Sequence, residues 1–529
     1  MAGFLGSAET HWLWGFTGLN DSVIPGASKL LTQTQIGPAT VTGDLRNVRA
    51  RFGIVRGRGG LAKYQSVATP MSTTPIIGLG EYIRHEASNV LVRMSPTKLE
   101  WLNGSTWTDI TGTALTGTSL TRPQFDTIQD TLVFVNEGED RPRKWLFGAA
   151  SSATLGGTPP FAKSLAAYVG YLILGNISND GTFTDVLHGW RAIQWSSDYD
   201  NTWVVCASGQ IGTLSTLEVN ATPAELLRMM VMGRRLMAYK ADGLVWLTWV
   251  GGVLVFRQDK VPVNIGLAGP LAVADVGEIG HILLANDAHL YLLTESTIKV
   301  LSPEALVQTL PTVSTLARFR YSRAYVLDDQ DLFVLLYDRT GLSGQFLDSF
   351  VSYNYRTGEF DKGRVGKSLI AALGFRPTNY QKAVGLVGSN DLVYEMDSAT
   401  ASDDDGVTVD RYWTTGWQQF AGEEGWFYGA RLIFKKSLGA RVVVSYAKDL
   451  NPRFRFHQTF QLIGNSAEEE IVELQYIPPA IRGSWFNVKV ALHHDRSASS
   501  TELMRVGIVG EAKLPVKPAA AEEGKAVRQ

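Results

Sequence analysis

One cysteine, Cys206, stands in the 529 residues. With no second thiol, an intramolecular disulfide and a thiolate metal cluster are both excluded. Nothing around Cys206 marks an activated nucleophile, so it reads as a buried, inert thiol. Charge is also scarce. Lys, Arg, Asp and Glu make up 19%, and 49 basic residues nearly cancel 51 acidic ones, leaving a formal charge of −2. That excludes a protein that grips nucleic acid by neutralising many phosphates, though not a surface past which DNA slides. Long apolar runs are missing. The longest, Leu244 to Phe256, is broken by Gly251-Gly252 and is too short to span a bilayer as a helix. The opening MAGFLGSAETHWLWGF has neither the cationic nor the apolar region of a secretory signal. These absences predict a soluble protein made in a reducing compartment. No segment shows a long amphipathic helix; the only helix candidates are Pro223 to Met229 and Pro303 to Thr309.

What is abundant points one way. Apolar residues reach 45%, enough to bury large cores, and 53 Gly accompany 14 Trp, 22 Phe and 18 Tyr, a balance suited to many short strands joined by turns. Residues Gly233 to Lys260 show the grammar most clearly. Arg235 to Lys240, Leu244 to Val250 and Val253 to Arg257 read as strands, separated by Ala241-Asp242-Gly243 and Gly251-Gly252 turns. Leu244 to Val250 should be a central strand, buried on both faces. A meander of this size needs neighbours to repay its chain entropy. The same grammar runs from Ile76 to Met396: Asn89 to Arg93, Lys98 to Leu102, an Asn103-Gly104 turn, Trp107 to Ile110, Thr131 to Val135, Tyr171 to Leu174, Leu332 to Tyr337 and Leu392 to Glu395. Strands entered from Gly170, Gly233 and Gly280 lie 63 and 47 residues apart, intervals compatible with propeller blades. The expected fold is all-β: a β-propeller of about six to eight blades followed by a C-terminal β-sandwich.

The expected organisation is an N-terminal segment, 1–65, packing on the sandwich or a ring neighbour; a propeller, 66–398; an acidic linker, 399–408; a sandwich, 409–514; and a disordered tail, 515–529. Within the first, Gly53 to Gly60 (GIVRGRGG) reads as a flexible basic loop whose Arg56 and Arg58 are more plainly a solvated turn than a nucleic-acid contact. The sandwich strands are expected at Arg431 to Phe434, Arg441 to Tyr446, Phe454 to Gln461, Ile471 to Tyr476, Trp485 to Leu492 and Met504 to Val509.

No constellation carries catalysis. HExxH, GxSxG and CxxC are absent. Gly366-Lys367-Ser368 resembles the end of a phosphate loop, but Asp361 stands where that pattern needs Gly and no helix follows. His493-His494-Asp495 offers metal-ligand chemistry, yet neighbouring strand residues point to opposite faces. Asp403-Asp404-Asp405-Gly406 has the oxygens of a calcium loop without its spacing, and reads as solvated linker. Ser196 to Trp203 (SSDYDNTW) resembles an Asp-box, a structural propeller turn, with Asp200 at the usual Gly position. Trp101, Trp107, Trp145, Trp190, Trp195 and Trp203 have the chemistry to stack on sugars, and equally to fill wedges between blades. Catalytic, cofactor-binding and metal-binding residues are therefore all expected to be none.

Several segments, taken in order, resemble the tail nozzle proteins of short-tailed bacteriophages, the tail tubular protein B and stabilisation-hub group. They are Gly18-Leu19-Asn20-Asp21-Ser22; Leu45-Arg46-Asn47 with Arg51-Phe52-Gly53 to Gly60; Trp101 to Trp107 with Phe125-Asp126; Leu132 to Asn136 with Pro142 to Trp145; Ala192 to Asp198 with Trp203; and Ala430 to Ile433 with Arg482 to Trp485. The resemblance implies a non-enzymatic structural protein of the virion tail, assembled in the bacterial host cytoplasm. It implies a homohexameric ring below a portal and adaptor ring, with tail fibres or spikes docked on it. Double-stranded DNA would be retained and then conducted through the lumen without sequence-specific contacts. A glycan-binding or glycan-hydrolysing host-attachment propeller, sialidase-like or depolymerase-like, is the alternative reading.

Overall fold

The computed structural model describes residues 9–13, 45–51, 54–178, 189–196, 216–301, 319–339, 346–415, 418–419, 425–435, 440–462, 471–494 and 502–512, apart from 68, 74, 86–87, 158, 220–221, 252–255, 379–380 and 452. They divide into two compact units, 59–409 and a second drawn from 1–58 with 410–529.

The first unit is a β-propeller. Among the described residues it has seven four-stranded antiparallel sheets. Six are built from consecutive strands. Blade 1 is Gly78–Tyr82, Val90–Met94, Leu99–Asn103 and Thr106–Asp109; blade 2 is Gln124–Ile128, Thr131–Val135, Arg143–Leu146 and Ala153–Thr154. Blade 3 is Ala162–Tyr168, Tyr171–Ile177, Ala192–Trp195 and Thr216–Glu218; blade 4 is Leu226–Met232, Arg235–Lys240, Leu244–Trp249 and Phe256–Lys260. Blade 5 is Val273–Asp275, His281–Leu284, Leu290–Leu293 and Ile298–Val300; blade 6 is Arg323–Leu327, Leu332–Tyr337, Leu347–Asn354 and Phe360–Leu369. Blade 7 takes Ala371–Phe375, Val384–Gly388 and Val393–Ser398 from one end of the unit and its fourth strand, Gly60–Lys63, from the other. First strands adjoin between blades 1 to 4 and between blades 5 to 7, and that of blade 7 meets that of blade 1. Blades 4 and 5 meet through His281, which bonds Tyr239 and the Val231 carbonyl, so the ring closes.

The strand period explains the packing. In Thr131–Val135 every residue is buried. Leu132 and Phe134 join blade 1 side chains such as Val92 and Leu99, whereas Val133 and Val135 join Leu172 and Leu174 of blade 3. Successive side chains leave opposite faces of a strand, so a blade between two others needs a continuous apolar run rather than alternation. Leu244–Trp249 obeys the same rule. Val245 and Leu247 pack into the core shared with Ile173 and Trp195, and the strand lies between Arg235–Lys240 and Phe256–Lys260. Burial holds for Leu244 to Leu247 and ends at Trp249, which is 45% exposed.

This clasp, in which Gly60–Lys63 completes blade 7, is seated by close contact. Ala62 lies opposite Glu395 and Leu61 opposite Met396, and Leu61 is buried in the core shared by blades 6 and 7. A Cβ on Gly60 would lie 1.8 Å from the Asp403 carbonyl oxygen, so only glycine fits there.

The second unit is a sandwich of a seven-stranded and a six-stranded sheet. The larger contains Gly425–Lys435, Ile471–Tyr476, Ile481–Gly483 and Glu502–Ala512, with Glu9–Leu13, Val48–Arg51 and Ile54–Gly57 from the N-terminal region. The smaller contains Arg411–Thr414, Gln418–Gln419, Ala440–Lys448, Arg455–Leu462 and Trp485–His494, with Leu45–Arg46 on its edge. Phe427 of one sheet stacks on Phe486 of the other, ring centroids 5.1 Å apart, in a core that also holds Leu432, Val444, Val490 and Val506.

Three expectations need correction. Residues Pro223 to Met229 are not helical: Leu226–Met232 is the first strand of blade 4. Leu and Met favour helices in isolation, but an innermost strand position between two blades outweighs that weak preference. The stretch Gly53 to Gly60 is no flexible loop, because Ile54–Gly57 and Gly60–Lys63 are strands and Arg58 is only 1% exposed. The segment 399–408 is no solvated linker. It packs within the propeller unit, where Asp404 is 1% exposed and its Oδ2 accepts the Gly366 N–H at 2.8 Å. Accordingly the propeller begins at Gly59, not after residue 65. Pro303 to Thr309, Cys206 and the 515–529 tail lie outside the described residues.

Candidate functional site

The residues singled out in the sequence do not converge. Gly366-Lys367-Ser368 lies in the strand Phe360–Leu369, and Lys367 Nζ pairs with Asp405 Oδ2 at 3.1 Å. The phosphate-like and calcium-like stretches thus neutralise each other in a structural contact. His493 and His494 are successive residues of Trp485–His494, facing Arg441 and Ala440. Asp495 and residues 197–203 of the Asp-box-like stretch lie outside the described residues; Ser196 Oγ accepts the Leu172 N–H at 3.0 Å. Among the described residues no three His, Cys, Asp or Glu side chains gather as a metal site.

The tryptophans divide. Trp145 and Trp195 are core, at 1% and 5% exposure. Trp101 is half-buried and packs on Trp145 at 5.7 Å; Trp107 is half-buried beneath the Arg93 guanidinium at 4.2 Å. Trp203 is outside the described residues. Trp190, at 47%, is the exposed one.

Trp190 borders a groove of about 300 Å³ between blades 2 and 3, shared with Phe161, Lys163, Asn176 and Glu137. The short 3-10 turn Gly189–Arg191 presents Trp190 just before the third strand of blade 3. Phe161 lies under the Arg141 guanidinium, 4.8 Å from its ring centre. Glu137 is the single carboxylate among the groove's described lining residues, and its Oε1 pairs with Arg320 Nη2 at 3.3 Å. An aromatic wall with one ammonium, one amide and one carboxylate can bind a polar, partly apolar ligand. It lacks the paired carboxylates that glycoside hydrolysis uses.

Beside the groove, charges gather where the first strands line the propeller's axis. Arg122 precedes the first strand of blade 2, Arg228 lies in that of blade 4, and Arg323 opens that of blade 6. Burial pushes the Arg122 and Arg228 pKa values down to about 10, so both remain cationic at neutral pH. The Arg323 value is lowered too, by burial and then by the charges of Arg122 and Arg228. Arg323 donates to the Ile370 and Ile77 carbonyls at 3.2 and 2.8 Å. Arg122 Nη1 donates to the Ser119 and Thr121 carbonyls, and its guanidinium lies 4.5 Å from the Tyr321 ring. Burial raises the Asp126 pKa, and its carboxylate accepts the Thr127 and Ala167 N–H groups. Sequence reasoning missed this cluster. The available signal was arginine at or near the start of the first strands of alternate blades, which requires the blade boundaries to be known.

No protein-family model and no curated protein matches the sequence. The solved structures to which the chain is similar are β-rich. The extracellular domain of the hybrid two-component system BT4673 from B. thetaiotaomicron matches with TM-score 0.39 and 10% identity, over 61% of this chain and 39% of that one. The chain thus spans well under half of that protein's length. The Pan2 WD40 domain of Neurospora crassa matches with TM-score 0.36 and 9% identity, over 66% of this chain and 98% of that one. YCF48 from Cyanidioschyzon merolae matches with TM-score 0.36 and 12% identity, over 62% and 97%.

Proposed function

We propose that this protein is a tail nozzle of a short-tailed bacteriophage. In this reading six copies form a ring below the portal and adaptor, dock fibres or spikes, and retain and then conduct double-stranded DNA. The observation that carries it is the order of the resembling segments. Trp101 to Trp107 falls in blade 1, Leu132 to Trp145 in blade 2, Ala192 to Trp195 in blade 3, and Ala430 to Ile433 and Arg482 to Trp485 in the sandwich strands. The formal charge of −2 suits a wall past which DNA moves without sticking. The reading assigns no catalysis to the chain. Ring formation would use heterologous contacts closed by rotation. Mass measurement and negative-stain imaging test it. A six-fold ring with a central hole is expected; a chain that stays monomeric and never assembles with virion proteins overturns it.

A second reading, a glycan-binding host-attachment propeller, is favoured by one feature, the exposed Trp190 beside Phe161 and Lys163. A glycan array separates the two. Binding that Trp190→Ala removes supports attachment; no glycan bound by the wild-type chain eliminates it.

A further inference from the structure

We propose that the propeller's axial arginines hold one small inorganic anion of halide size, with Arg122 as its principal ligand. Arg122 is 2% exposed, yet its Nε and Nη2 have no hydrogen-bond partner. Half-buried Arg228 likewise leaves Nε and Nη1 unpartnered and out of contact with solvent. An unpaired buried donor is costly, and a charged one more so. The local charge count is also unbalanced. Arg122, Lys163 and Arg320 line one cavity with Glu137 and Glu225. Arg228, Arg323 and Asp126 lie around it, within reach of one another's charge. Five cations thus gather in this region with three carboxylates. Those carboxylates are occupied in part: Glu137 accepts the Arg122 backbone N–H at 3.0 Å and pairs with Arg320, and Asp126 accepts two backbone N–H groups.

Size decides the class of anion. The cavity lined by Arg122 is about 10 Å³, room for one water-sized species. A bare halide is the common anion nearest that size; phosphate and organic carboxylates are larger. A water molecule would satisfy an N–H group but leave two positive charges uncompensated.

The test compares the full chain in sodium chloride, sodium bromide and sodium gluconate at equal ionic strength. Halide should raise Tm by a few degrees over gluconate and saturate, as a single-site ligand does. Arg122→Gln should abolish that saturable difference. A halide response absent in the wild type, or unchanged in Arg122→Gln, overturns the proposal. Should the variant fail to fold, bromide anomalous scattering from wild-type crystals decides. A peak at the Arg122 guanidinium supports the site, and none at saturating bromide refutes it.

Discussion

The propeller and the sandwich are both antiparallel β, but they draw their strands from the chain in opposite ways. Each of blades 1 to 6 is a contiguous stretch, so its pairings are hairpins between near neighbours. The sandwich pairs across the sequence: Glu9–Leu13 lies against Glu502–Ala512, and Leu45–Arg46 against Arg411–Thr414. Side chains lock the second arrangement, since Asn47 Nδ2 donates to the Asp410 carbonyl at 2.9 Å and Arg411 Nε to the Arg58 carbonyl at 2.6 Å. Closure entropy grows only logarithmically with loop length. A closure of several hundred residues costs about 3 kcal/mol more than one of ten, which burial of two core side chains offsets. Long-range pairing is therefore cheap in stability and invisible to local pattern. Blade 7 is the hybrid, three local strands and one distant one.

That hybrid is where the comparison is easiest to break. Gly60→Val should unseat the clasp and cost about 5 kcal/mol, near the top of the range for one substitution, because its Cβ would collide with the Asp403 backbone. Calorimetry should show the propeller transition falling with the sandwich transition unchanged; a joint fall would mean the two units melt as one. Phe427→Ala should do the reverse, costing about 4 kcal/mol in the sandwich alone, since Phe427 is fully buried against Phe486. Acid should weaken the propeller by a smaller amount. His281 is fully buried; its Nε2 donates to the Val231 carbonyl at 2.9 Å and its Nδ1 accepts from the Tyr239 hydroxyl, which fixes the neutral tautomer. Burial brings its pKa down to about 4. As pH falls from 6.5 to 4, the unfolded chain takes up a proton that the folded chain refuses, so stability present above 6.5 is lost. The full loss is roughly 3 kcal/mol, and urea midpoints for His281→Gln should fall less steeply over that window. Trp190→Ala should change stability least, within about 0.5 kcal/mol, so any loss of ligand capture would report binding rather than unfolding.

Local order explains what could be read from sequence. Arg235–Lys240 and Ile471–Tyr476 match their expected bounds residue for residue. Turn chemistry and apolar runs mark them, and Asn103-Gly104 makes its hairpin turn with Gly104 at φ +59°. The clasp was unreadable because Gly60–Lys63 has four residues, no alternation, and a partner more than 300 residues away. Pro223 to Met229 reads as helical in isolation because its Leu and Met content suits a helix until two flanking blades are present. The axial arginines were hidden for the same reason. Arg122, Arg228 and Arg323 lie far apart in sequence, and only ring closure brings their charges together.

The clasp also sets a timetable. Gly60–Lys63 leaves the ribosome before its partner Val393–Ser398, which follows 335 residues later, counting from Lys63 to Ser398. At ordinary elongation rates that is roughly half a minute of synthesis. Through that interval the first blade has no seventh to lean on, and the nascent ring carries an open edge of the kind that recruits other chains. A four-residue strand ending in lysine is a poor template for such recruitment. The feature that makes the clasp hard to recognise in the sequence also lets it wait unpaired until its own last blade arrives.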